Sequence, residues 1–167
     1  EVAAEAAQGE VCQAANDNAD GQVVVSGSKA AVERAVALAK ARGAKRAMLL
    51  NVSAPFHCAL MQPAADAMAA ALAAVDLKAP IVPLIANVLA APISDPADIR
   101  RRLVEQVTGT VRWRESVQWL AANGVTRLVE IGSGKVLTGL VKRIADGVEG
   151  LAVNTPDDVA KAAAALA

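Results

Sequence analysis

Among 167 residues there is one histidine, His57, set in Asn51-Val52-Ser53-Ala54-Pro55-Phe56-His57-Cys58-Ala59-Leu60-Met61. Imidazole is the side chain whose unperturbed pKa lies nearest neutral pH. A histidine beside a proline-fixed turn, between an apolar run and a helix, is therefore a candidate general base. The alternative is a histidine held in a loop by backbone hydrogen bonds. Cys58 adjoins it, but neighbouring side chains diverge, so a Cys-His nucleophile pair is not expected from these two. A Cys-His hydrolase would need a reactive thiol at Cys58 or Cys12. Cys12 falls in an apolar segment and reads as inert core.

No Gly-x-Ser-x-Gly nucleophile elbow occurs in the sequence. Ser26, Ser28, Ser94 and Ser116 suit turns and caps, so the chain offers a base without its nucleophile. Gly132-Ser133-Gly134-Lys135 suggests a phosphate loop but fails as one. Val129 stands where a Walker A motif needs its first glycine, and Val136 where it needs Ser or Thr. It reads as a tight strand-to-helix turn, of the kind that borders the ligand crevice in open α/β sheets. Gln106 and Asn87 are polar residues at positions that read as buried, either as satisfied structural amides or as partners that orient a base.

The elements that must position these groups follow from periodicity. The chain opens on the apolar face of a helix (Val2, Ala3, Ala6, Ala7) that stops at Gly9, a start that suits a piece of a longer chain. Val11–Ala15 and Gln22–Ser26 read as paired strands around a turn cluster, Asn16-Asp17-Asn18-Ala19-Asp20-Gly21. A helix runs from Ser28 to about Arg42, with Gly43 as its stop. Lys45–Val52 reads as a third strand. This order is a ferredoxin-like unit lacking its first strand. Beyond it, a helix over about 59–74 carries Met61, Ala65, Met68 and Leu72 on one stripe. Ile81–Ala86 is a short strand, with Pro83 pushing it toward a sheet edge.

Asp95 and Pro96 start a helix with Ile99, Leu103, Gln106 and Val107 on its inner face. A further helix carries Trp113, Val117 and Leu120 and ends at Gly124. A strand over Thr126–Ile131 then leads through the glycine turn into a helix with Val136, Leu137, Leu140, Val141 and Ile144 inward. Leu151–Val153 is a last strand before an alanine-rich helix. Strands alternating with helices imply an α/β fold with a mainly parallel sheet.

Composition narrows the function classes. Hydrophobic residues make up 54% of the chain, so a sizeable core is available, while aromatic residues at 2% leave no base-stacking platform. Seventeen basic and seventeen acidic residues balance to zero, which asks for no nucleic acid. Charges or prolines interrupt each apolar run below membrane-spanning length. Two cysteines without a CxxC or Cys/His cluster predict neither zinc nor a disulfide framework, which suits a cytoplasmic location.

Together these landmarks resemble the malonyl-CoA:acyl-carrier-protein transacylase family of bacterial fatty-acid synthesis. The resemblance runs from about Val11 to Leu151. It is carried by Asn16–Gly27, Gly43–Ala47, Val52–Met61, Leu103–Gln106, Val111-Arg112-Trp113 and Glu130–Leu140. It implies a partial small lobe, residues 1–52, followed by the C-terminal part of an α/β-hydrolase-like acyltransferase core, residues 53–167. It also implies a ping-pong reaction in which a serine takes malonyl from coenzyme A and passes it to the phosphopantetheine thiol of acyl carrier protein. No other cofactor or metal is implied.

His57 matches the family's general base, and Gln106 the residue whose main-chain carbonyl holds the histidine ring. Asn18, Phe56 and Val136 fall at substrate-binding positions. A ring at Phe56 leaves no room for an α-methyl group, favouring malonyl over methylmalonyl. The family's Gly-His-Ser-Leu-Gly elbow, its Gly-Gln-Gly oxyanion loop and its malonate-binding arginine precede the matched segment, so these residues alone are expected to be inactive. Asp20 and Ser133 replace family prolines, which should loosen two turns. A non-catalytic remnant that docks acyl carrier protein, with Lys135, Lys142 and Arg143 facing its acidic helix, is the alternative.

Overall fold

Small side chains decide how the first elements pack. The computed structural model describes residues 1–166. Helix α1 (Val2–Ala7) ends in left-handed backbone at Gln8 and Gly9. It lies against α2 (Lys29–Ala41) through Ala6, Ala31 and Ala35, with Cys12 completing a buried cluster. Alanine lets the two backbones approach closely without side-chain entropy to lose. Helix α2 stops as expected, with Gly43 in positive-φ backbone just beyond its end.

Strands β1 (Cys12–Ala19) and β2 (Gln22–Gly27) form an antiparallel hairpin. The expected turn cluster is shorter than its composition indicates. Asn16, Asp17 and Asn18 continue the strand, and the turn contracts to Asp20-Gly21. Tertiary partners outweigh turn propensity here. Asn16 makes a parallel bridge to Val111. The Asp17 carboxylate receives a two-pronged ion pair from Arg114, with contacts of 2.7 to 3.1 Å.

Lys45–Val52 does not form a strand. Pairing defines a strand, and this segment has no neighbouring strand among the described residues. Met48, Leu49, Leu50 and Val52 remain at least half exposed.

Past a single 3-10 turn (Ala59–Met61), helix α3 (Gln62–Ala73) buries Ala65 but leaves Met68 at the surface. Strands β3 (Leu84–Ala86) and β4 (Ala91–Ile93) make a short antiparallel hairpin. Helix α4 (Pro96–Thr108) starts as its sequence predicts, the Asp95 carboxylate accepting the Asp98 N–H at 2.8 Å. Its inner face differs from expectation, because Ile99 is buried while Leu103 is exposed.

Helix α5 (Trp113–Ala122) buries Val117 and Ser116. Strand β5 (Arg127–Ile131) then pairs in parallel with β6 (Glu149–Val153), joined through α6 (Val136–Ile144), and α7 (Pro156–Leu166) closes the described chain. This βαβ unit is the parallel part of an α/β fold whose sheets are two-stranded among the described residues. Leu140 and Val141 are buried on α6, but Val136 and Leu137 are exposed, so the expected inward stripe begins a turn later.

Candidate active site

The histidine segment takes a backbone path that few residues choose. His57 sits at φ +59°, in the left-handed region. For a non-glycine residue this costs on the order of 1–3 kcal/mol and persists only where neighbours over-determine it. Four contacts do so. The Cys58 thiol donates to the Pro55 carbonyl at 3.1 Å, and Cys58 itself is fully buried. The Met61 N–H closes the 3-10 turn onto the Cys58 carbonyl at 3.0 Å. The Ala59 N–H donates to Gln13 Oε1 of β1 at 2.7 Å. The His57 ring itself meets the Gln106 main-chain oxygen through Nδ1, at 3.0 Å.

The position of Gln106 explains why its carbonyl is free. The last four carbonyls of a helix lack intrahelical partners, and Gln106 lies in the final turn of α4. The chain leaves the helix at Gly109, where an added Cβ would stand 2.8 Å from Val88 Cγ2 and 2.9 Å from the Glu105 oxygen. The Gln106 side-chain amide donates to the Gly109 carbonyl at 3.0 Å and secures this exit. A carbonyl oxygen can only accept, so Nδ1 carries the ring proton. In the neutral ring, Nε2 then holds an open lone pair. This geometry suits a general base.

The structure brings His57 and Gln106 together but leaves the other candidates apart. Phe56 precedes the histidine and is half exposed. Val136, exposed on the first turn of α6, and Asn18, half-buried in β1, make no hydrogen bond to His57 among the described residues. A cavity of about 90 Å³ lies between Trp113, Leu128, Val129, Glu130, Leu137, Thr138 and Val141, and a groove of about 300 Å³ lies at Asp95, Ala97, Asp98 and Arg101. His57 lines neither. Asn87 is a structural amide whose side-chain oxygen lies 3.2 Å from the buried Ser116 hydroxyl. Among the described residues no three His, Cys, Asp or Glu side chains gather as metal ligands.

Two supports had no sequence signal strong enough to single them out. Gln13 reaches the histidine turn across 46 positions. Glu130, at the end of β5, accepts the Thr138 N–H at 2.8 Å, the Thr138 hydroxyl at 2.7 Å and the Leu137 N–H at 3.2 Å. It thereby closes the glycine turn onto the start of α6. Those bonds, led by the Thr138 backbone N–H, hold its carboxyl below the ordinary glutamate value. An acid before a glycine turn and a helix was the available hint. At Cys12 burial pushes the thiol up, against the nearby Arg34, which suits core rather than a nucleophile.

A parallel βαβ unit, a glycine turn at its strand end and a ring-oriented histidine define the class. The acyl transferase domain family matches residues 2–161, and the chain belongs to that family. Within it, the chain is similar to malonyl transacylases. The malonyl CoA-acyl carrier protein transacylase of Salmonella typhimurium is 52% identical over 152 residues, covering 91% of this chain and 49% of that protein. The crystal structure of the acyl-carrier-protein S-malonyltransferase from Bartonella henselae superimposes with a TM-score of 0.94 at 56% identity, covering 99% of this chain and 52% of that one. A malonyl-transacylase solved in complex with its type II PKS acyl-carrier protein superimposes with a TM-score of 0.92 at 45% identity, covering 96% and 52%. The chain spans about half the length of the relatives it matches.

Proposed function

We propose that this chain supplies the histidine-bearing part of an enzyme that moves malonyl from coenzyme A to the phosphopantetheine thiol of acyl carrier protein. The observation that carries the reading is the 3.0 Å contact of His57 Nδ1 with the Gln106 carbonyl. It leaves Nε2 able to take a proton, first from a serine attacking the malonyl thioester and then from the carrier thiol attacking the acyl-enzyme. The nucleophilic serine and the groups that receive the oxyanion and the malonate carboxylate lie outside these 167 residues. Phe56 beside the histidine favours the unsubstituted acyl group, and Asn18 and Val136 belong to the substrate surface. Residues 1–52 serve as a small lobe and 53–167 as part of the core. Strong similarity to proteins named for this transfer supports the reading.

The test is His57→Ala in the complete transacylase. Formation of malonyl-acyl carrier protein should fall by on the order of 10²-fold to 10⁴-fold, the usual contribution of a positioned base. A variant that retains wild-type transfer sinks the assignment.

A further inference from the structure

We propose that Gln13 is a positioning residue for His57, setting the backbone beneath the imidazole as Gln106 sets the ring. The proposal rests on the reading of His57 as the base. The Ala59 N–H opens the 3-10 turn and has no partner within it. Cys58 occupies the cap position but makes no side-chain cap, because its thiol is turned to Pro55. Gln13 Oε1 supplies the missing acceptor at 2.7 Å, two residues past His57. Left-handed backbone at His57 needs both its flanks held. On one flank the proline turn is closed by the Cys58 thiol, and on the other stands Gln13.

Gln13 can act in this way because its own backbone is fixed. Its neighbour Cys12 is buried, and Gln13 pairs with Ser26 across the hairpin. At the foot of that hairpin the Ser28 N–H donates to the Val11 carbonyl at 2.8 Å. Gly27 there passes so close that an added Cβ would lie 2.0 Å from the Val11 oxygen. The small lobe therefore holds one side of the base through a single side chain.

The experiment compares Gln13→Met, similar in length but without a strong acceptor, with Gln13→Glu, which keeps one. Ring nitrogen NMR shifts of His57 in the complete transacylase, assigned as the signals lost in His57→Ala, report its tautomer. The same substitutions in the complete transacylase give kcat and KM. With methionine, the Nδ1–H tautomer should lose its dominance and kcat should fall on the order of tenfold, with KM within about twofold. Glutamate should keep both near wild type. Should the methionine variant fail to fold, Gln13→Asn, one methylene too short to reach Ala59, takes its place.

Unchanged tautomer and kcat in the acceptor-free variant overturn the proposal. So does a loss as large with glutamate as with methionine, or a fall in kcat without a tautomer change. A tautomer shift in Gln13→Met alongside full activity in His57→Ala would keep the positioning role and remove the base assignment instead.

Discussion

At the scale of single residues, the site divides labour between a side chain and a peptide group. His57 contributes an imidazole and Gln106 a carbonyl that every residue at that position also possesses. Substitution should separate the two. Gln106→Ala keeps the carbonyl and loses only the hydrogen bond that the side-chain amide donates to the Gly109 carbonyl, worth about 1 kcal/mol. Its transfer rate in the complete enzyme should fall less than tenfold, and steady-state assay beside His57→Ala measures the gap. A loss as deep as that of His57→Ala would give the Gln106 side chain a direct part in the reaction. Composition pointed to His57 because the chain has no other imidazole. Spacing could not show that Gln106, 49 positions on, turns its backbone oxygen toward it.

At the scale of elements, two junctions carry the geometry. The first is the foot of the β1–β2 hairpin. Gly27→Ala forces a Cβ against main-chain atoms of Val11 and Cys12 that cannot swing aside. Denaturant unfolding of the complete enzyme should show a loss of about 1–3 kcal/mol, the usual cost of overpacking. The second is the glycine turn before α6, held by Glu130. Its carboxyl is depressed in the folded chain, so its stabilisation is present above the unfolded value and lost as pH falls through the folded one. In the complete enzyme Glu130→Gln should therefore melt lower than wild type at neutral pH. The two melting curves should start to converge as pH falls below about 4.3, the ordinary glutamate value, and meet once it has passed below the lower folded value. A gap that persists unchanged at low pH would mean that the hydrogen bonds, rather than the charge, hold the turn.

At the scale of the whole molecule, surface is the telling quantity. The chain exposes 10240 Å², whereas a compact monomer of 17.0 kDa exposes roughly 7,700 Å² by the usual size scaling. Many large apolar side chains are among the exposed residues. Ile81 is fully exposed and Ile131 is 82% exposed, with Val136 and the Met48–Leu50 run beside them in the count of uncovered hydrophobics. Faces of this kind are covered in stable proteins. The isolated 167 residues should therefore associate or bind a hydrophobic dye, and sedimentation velocity with dye fluorescence will show it. A monodisperse monomer with a cooperative melt and no dye binding would contradict this. No described helix is long and apolar enough to cross a membrane.

What the sequence determined by itself was local: helix starts and stops such as Asp95-Pro96 and Gly43, the β1–β2 pairing, the glycine turn, and one histidine at a turn. These follow from backbone preferences and periodicity within a few residues. The tertiary structure decided the rest. Asn16–Asn18 became strand because Val111 and Arg114 pair with it, against its turn composition. Lys45–Val52 found no partner strand among the described residues despite its apolar pattern, since a strand needs a neighbour as well as a propensity. The tautomer of His57 and its left-handed backbone rest on Gln106 and Gln13, both more than 40 positions away in sequence. Local propensity says which conformations are cheap, but only packing between distant elements sets which nitrogen of a histidine is left open.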